Sequence, residues 1–174
     1  MAEIHSHARP PGPLSAFGLG IAGAVIVVDQ IAKLIVEARL PEGWAIDVLP
    51  ILTLLRVRNT GIAFSLFAGS GFGLIVLPVA VTVIVLAFWA YNREGGRPAA
   101  AGFALILGGA IGNLIDRLRL GYVTDFLLLH FGSWTLFVFN LADAALTLGP
   151  ALLLLVYLWP AKPDARRQEP RQNN

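Results

Sequence analysis

GGAIGNLIDRLRLGYVTDF, residues 108–126, leaves an apolar run, turns densely polar within a few residues, and ends on Asp125 beside more apolar sequence. A second stretch, FNLADAALTLG (residues 139–149), puts Asp143 a few residues inside the last apolar run. A carboxylate at a membrane helix centre costs roughly 2.5–3.5 kcal/mol on insertion scales. Residues kept at that cost usually have a task. Asp125 and Asp143 are therefore read as a pair, with most other polar groups serving them.

The chain has 174 residues, 56% hydrophobic and 14% charged, with a mean hydropathy of +0.71. A soluble domain of this size carries about 25% charge, so the class is an integral membrane protein of one domain. With no cysteine, disulfides, thiolate nucleophiles and cysteine metal sites are excluded. His5 and His7 lie in a polar tail and His130 stands alone, so no metal is expected. The basic excess gathers in the C-terminal tail, which suits an anionic lipid surface better than nucleic acid.

Residues 1–13 read as a polar, proline-rich tail and residues 14–159 as a single four-helix catalytic domain. Residues 160–174 read as a disordered cytoplasmic tail. The apolar runs at 14–36, 72–91, 99–115 and 139–159 predict four transmembrane helices. The first carries Asp29, Gln30 and Lys33 and is too long for a signal-peptide core. Gly108 and Gly112 permit close packing in the third. Residues 44–58 alternate in part and are rich in β-formers, predicting one or two short surface strands. Residues 126–142 are uncharged but broken by His130, Gly132, Ser133 and Trp134, predicting a short surface or re-entrant segment. The expected fold is thus all-α, with a small β element on the outer face.

Four spans put both termini on one side. Seven basic residues (Arg9, Arg93, Arg97, Lys162, Arg166, Arg167, Arg171) fall there against five (Arg39, Arg56, Arg58, Arg117, Arg119) on the other. This favours cytoplasmic termini. Asp29 and Lys33, Asn59 and Gly61, Asn113, Asp116 and Arg117, and Asn140 and Asp143 then all reach the outer face. Asp143 is expected about four residues, roughly 6 Å, below it.

Two close carboxylates resist joint ionisation, so one holds a proton while the other activates water. Two unrelated interfacial aspartates fit the spacing as well. Asn113 and Arg117, at i and i+4, share a face if the helix continues, as do Asn140 and Asp143 at i and i+3. Arg117 fits a substrate carbonyl or a plain ion pair with Asp116, and Asp116 is read as supporting. Asp29 and Lys33 fit a structural i,i+4 pair. Lys33 as the base of a Ser–Lys hydrolase would need Ser65, Ser70 or Ser133, none in a nucleophile motif. A small transporter or a lipid-binding bundle using the same acids is the alternative to an enzyme.

In order, VVDQIAKLIV (27–36), RNTGIAFSLF (58–67), GGAIGNLIDRLRLGYVTDF and FNLADAALTLG resemble the lipoprotein signal peptidases (signal peptidase II), bacterial membrane aspartic proteases. The resemblance runs over residues 27–158. It implies that Asp125 and Asp143 are the catalytic dyad and that Asn59, Gly61, Asn113, Arg117 and Asn140 line the substrate site. Asp29, Lys33 and Asp116 take supporting roles. It further implies a diacylglyceryl-modified prolipoprotein substrate, cut just before the lipidated cysteine. No metal or cofactor is implied. The implied setting is a monomer in the bacterial inner membrane, in contact with lipid and not with nucleic acid. Ile62, Val138 and Ala144 depart from the family's usual residues without touching the dyad.

Overall fold

The computed structural model describes residues 10–61 and 71–159. Ile62, Ser65, Ser70 and residues 1–9 and 160–174 of the two tails lie outside the described residues. The elements run α1 (Ala16–Arg39), β1 (Ala45–Leu49), β2 (Leu52–Asn59), α2 (Gly71–Tyr91), α3 (Gly96–Leu120), β3 (Val123–Phe131), β4 (Trp134–Phe139) and α4 (Leu141–Leu158). The chain is mostly helical, as expected. Of the four helices, α1, α3 and α4 are each long and apolar enough to cross a membrane.

Helix α3 is the centre, packed against α1, α2 and α4. Its small residues make this possible. A Cβ on Gly108 would meet the Ala22 carbonyl oxygen of α1 at 2.8 Å, and one on Gly109 would collide with the Ala142 carbonyl oxygen of α4. Backbones this close leave little room for lipid or water between the helices that carry the polar residues. The outward faces are apolar. Val27, Val28, Ile31 and Ile35 of α1, Val83 and Ile84 of α2, and Leu154 and Leu155 of α4 are exposed, which suits contact with lipid rather than water.

Helix α3 continues to Leu120, five residues past the expected Ile115, and stops at Gly121. That glycine adopts φ 78° and donates its N–H to the Arg117 carbonyl, a left-handed cap that a side chain would strain. The chain reverses at once into β3, so Asp125 returns beside the helix it has just left.

Residues 126–142 differ from the expectation in being largely strands. The short surface or re-entrant segment expected there is regular β-structure: β3 and β4 make a hairpin that turns at Gly132, φ 56°, and α4 begins at Leu141. The four strands form one antiparallel sheet in the order β1-β2-β3-β4, so the small β element expected over 44–58 is only half of it. The unbroken Leu127-Leu128-Leu129 run hides the alternation that marks a strand. The β2–β3 register is clear at Leu54↔Leu127 and at Val57↔Asp125, with one extra residue of β2 between them. This bulge re-aims the end of β2 and carries Asn59 toward Asp125. Phe126, on the other face, packs with Val36 and Leu40 at the end of α1 and docks the sheet onto the bundle.

Candidate active site

Asp143 is the third residue of α4. Asn140 is the N-cap. Its side-chain oxygen accepts from the Asp143 N–H at 2.9 Å, while Asp143 Oδ2 accepts from the Asn140 N–H at 3.2 Å. This reciprocal capping box satisfies two orphan donors of the helix start. The i,i+3 spacing of these residues therefore reflects a cap, not a shared helix face. The box also fixes the rotamer of Asp143 and leaves the Asn140 amide nitrogen free to act elsewhere.

That nitrogen donates to Asp125 Oδ1 at 2.6 Å and to Asn113 Oδ1 at 3.1 Å. Asn59 Nδ2 donates to Asp125 Oδ2 at 2.9 Å, and Asn113 Nδ2 donates to Asp143 Oδ1 at 2.7 Å. Each carboxylate thus receives two neutral N–H donors, one on each oxygen. Asp125 takes Asn59 and Asn140; Asp143 takes Asn113 and the Asn140 backbone. Gly61 acts one step back. At φ 77° its N–H donates to Asn59 Oδ1 at 2.9 Å, which turns the Asn59 amide so that its nitrogen meets Asp125.

Asp125 is 2% exposed. Burial pushes its carboxyl up to about 6 from an ordinary 3.8, and the charge of Asp143 adds to the rise. Hydrogen bonds from Asn59 and Asn140 and the charge of Lys33 work against it. A carboxyl in that range exchanges protons near neutral pH, which suits general acid–base work.

A second cluster meets these two carboxylates through Asn113. Asp29, Lys33 and Asp116 have no exposure. Lys33 Nζ contacts Asp29 Oδ2 at 2.8 Å, Asp116 Oδ2 at 2.9 Å and Asn113 Oδ1 at 3.0 Å. Two expectations change here. Asp29 and Lys33 are not at the end of α1 but about three and two turns short of Arg39, because the helix runs three residues past Val36. Asp116 does not pair with Arg117. It turns inward to Lys33, while Arg117 donates to the Asn113 carbonyl at 3.3 Å and lies in the field of Asp143 and Asp125.

Three participants had no role in the sequence reading. Gln30 donates to Asp116 Oδ1 at 2.9 Å and to the Gly112 carbonyl at 3.2 Å; its polarity inside an apolar run was the available signal. The Thr124 N–H reaches Asp116 Oδ2 at 3.1 Å, and its hydroxyl donates to Glu37 Oε1 at 2.7 Å. Neither Thr124 nor Glu37 stands out in sequence, since both sit where a strand start or a helix end tolerates polarity. Ser133 lies in the β3–β4 turn, whereas Lys33 of α1 contacts Asp29, Asp116 and Asn113, and a Ser–Lys pair with Ser133 does not form. The four buried or half-buried acids, Asp29, Asp116, Asp125 and Asp143, join one network through Lys33, Asn113 and Asn140. They are not strung along a helix, as a conducting relay would require.

A protein-family description, signal peptidase (SPase) II, matches residues 21–159. Lipoprotein signal peptidases of Brucella ovis and Brucella melitensis are each 48% identical over 131 residues, which is 75% of this chain and 82% of theirs. Two solved structures, titled as bacterial membrane enzymes determined by the in meso method, superpose with TM-scores of 0.76 and 0.74. They are 25% and 24% identical, cover 89% of this chain, and are covered over 100% and 98% of their own length. The 24% likeness speaks to the fold alone.

Proposed function

Because the chain belongs to the signal peptidase II family and so cleaves signal peptides from prolipoproteins, we propose that it does so as an aspartic endopeptidase with Asp125 and Asp143 as the dyad. The observation that carries this is the pattern of donors: four neutral N–H groups, divided two and two between carboxylates on different elements. Amides hold both side chains without fixing either as an ion. One carboxyl can then keep a proton while its partner is ionised.

In the proposed reaction the ionised aspartate takes a proton from water as it attacks the scissile carbonyl. The protonated aspartate donates toward the substrate, and the tetrahedral intermediate collapses with release of the signal peptide. Arg117 has guanidinium donors beyond the one spent on Asn113 and offers them to a substrate carbonyl. Asn113 is less available. Its oxygen is filled by Lys33 and Asn140, so it serves mainly to hold Asp143.

We assign four spans with cytoplasmic termini, residues 14–159 as one catalytic domain acting as a monomer, and a site near the outer face of the bacterial inner membrane. The substrate is a diacylglyceryl-modified prolipoprotein that arrives laterally and is cut before its lipidated cysteine. The exposed apolar flanks and the gathering of the acids in one connected cluster support this arrangement. The test is cleavage of a lipidated prolipoprotein by purified protein. Asp125→Asn and Asp143→Asn should each abolish it while remaining membrane-inserted, and normal processing by either would overturn the assignment.

A further inference from the structure

The buried Asp29–Lys33–Asp116 cluster touches the backbone at two particular places. Asp29 Oδ1 accepts from the Ala142 N–H at 2.9 Å, and Asp116 Oδ2 accepts from the Thr124 N–H at 3.1 Å. Ala142 immediately precedes Asp143, and Thr124 immediately precedes Asp125. Each supporting carboxylate therefore grips the peptide group next to one dyad residue, and Lys33 ties the two supporting carboxylates together. The third Lys33 contact reaches the dyad by a separate route. An ammonium can only donate, so Asn113 must turn its oxygen to Lys33 and its nitrogen to Asp143. With the Asn113 oxygen facing inward, Asn140 must offer its nitrogen both to that oxygen and to Asp125. All three Lys33 protons are used. No buried polar side-chain atom among the described residues is left unpaired.

We propose that Lys33 is a positioning residue for the dyad, setting the spacing of Asp125 and Asp143 through Asp29 and Asp116 and the orientation of both holding amides through Asn113. This rests on the dyad assignment above. Lys33 of α1 bonds to α3 directly and reaches α4 and β3 through Asp29 and Asp116, so the relative placement of two catalytic side chains depends on one centre. A purely structural ion pair would need no contact beside the dyad at all.

Charge gives the proposal a signature. The charged groups that face Asp125 are Lys33 from α1, Arg117 from α3 and Asp143 from α4. Asp116 of α3 and Asp29 of α1 lie beyond Lys33, and β2 contributes the neutral Asn59. Removing the Lys33 cation raises the pH needed to ionise the dyad. Removing a carboxylate from the cluster leaves Lys33 less neutralised and does the opposite.

The experiment measures kcat, KM and the pH–rate profile of the full chain in detergent on a lipidated prolipoprotein. The proteins are wild type, Lys33→Met, Asp29→Asn and Asp116→Asn, with Asp143→Asn as control. Expected for Lys33→Met is a kcat about tenfold to hundredfold lower, the cost of misplacing reacting groups by ångströms. KM should stay within about threefold of wild type, since no substrate contact is lost. The acidic limb should move up, since the cation favours the ionised form of Asp125. Asp29→Asn and Asp116→Asn should also lose kcat but move the limb down. If Lys33→Met cannot be recovered folded, the two asparagine variants decide the matter alone, because each keeps an oxygen able to accept the backbone N–H. A folded Lys33→Met, or failing that both asparagine variants, with wild-type kcat and an unmoved acidic limb overturns the proposal. Activity in Asp143→Asn overturns the dyad assignment itself, a separate result.

Discussion

Asp125→Asn should change how stability depends on pH, by an amount that follows from the burial of the side chain. The carboxyl titrates near 6 in the folded chain against an ordinary 3.8. The gap of about 2 units corresponds to roughly 3 kcal/mol at about 1.4 kcal/mol per unit. The folded-state value is the higher one, so between about pH 4 and pH 6 the folded protein holds a proton that the unfolded chain has released. The Asp125 contribution is fully present below pH 4, is lost as pH rises through 6, and is flat above that. Asparagine never ionises. The stability difference between Asp125→Asn and wild type should therefore grow in favour of the variant by about 3 kcal/mol from about pH 3 to pH 7.5. A constant offset, from the donor that meets an amide N–H₂ instead of an oxygen, cancels in that comparison. Asp143 is present in both proteins, so the difference isolates Asp125 and its coupling to Asp143. Thermal unfolding in detergent at four or five pH values reads it directly. A difference that stays flat across this range would refute the claim that Asp125 is a desolvated carboxyl, and with it the main argument for a proton-sharing pair.

Asn140 combines a helix cap with a bridge to Asp125, and two substitutions separate these. Asn140→Ala should cost about 1 kcal/mol for the cap and about 1.5–3 kcal/mol for the hydrogen bond to a charged group; Asn140→Ser should recover the cap but not the bridge, leaving cleavage as impaired as in the alanine variant. Equal melting temperatures for the two would count against the capping role. Gly109→Ala drives a methyl into the Ala142 carbonyl oxygen of α4 and should cost about 1–3 kcal/mol while lowering kcat through displacement of Asp143. Unchanged unfolding and turnover would show that α3 and α4 are not in such close contact. The absence of native cysteine makes single-cysteine labelling a direct test of orientation. Ser133→Cys in the β3–β4 turn should react with a membrane-impermeant maleimide from outside the cell and Glu94→Cys between α2 and α3 only after lysis; the reverse pattern would invert the proposed topology.

The helices were legible because apolar runs of membrane length leave few alternatives, and Asp125 and Asp143 because a carboxylate in such a run is conspicuous. What stayed hidden depended on contacts between distant residues. The i,i+4 spacing suggests the Asp29–Lys33 pair, but nothing local says that Asp116 turns to Lys33 and away from its neighbour Arg117. Gln30 meets Asp116 across 86 residues of sequence. The β3–β4 hairpin was obscured for a different reason. Leu127, Leu128 and Leu129 are all partly exposed and apolar, so both faces of that stretch carry leucine. A strand that is apolar on both faces loses the period-2 pattern by which strands are recognised.

The identity of the groups touching the dyad explains why the cation is held one residue away. A lysine or arginine bonded directly to either carboxylate would favour the charged form of both and remove the general acid. Amides orient the same oxygens without that bias, but an amide can flip and present its oxygen instead. A buried ammonium behind Asn113 prevents the flip, because only an oxygen can face it. Its own charge is offset by Asp29 and Asp116, so the dyad feels the orientation strongly and the field less. Replacing Asn113 with Asp puts this to a direct test. The side chain keeps its size and its bonds to Lys33 and Asn140 but presents an acceptor instead of a donor to Asp143. Cleavage should fall by at least the hundredfold expected of misplaced reacting groups, although the ion pairing of Lys33 would be stronger than before. An active Asn113→Asp enzyme would mean that charge near the dyad, and not the direction of the amide, is what the site requires.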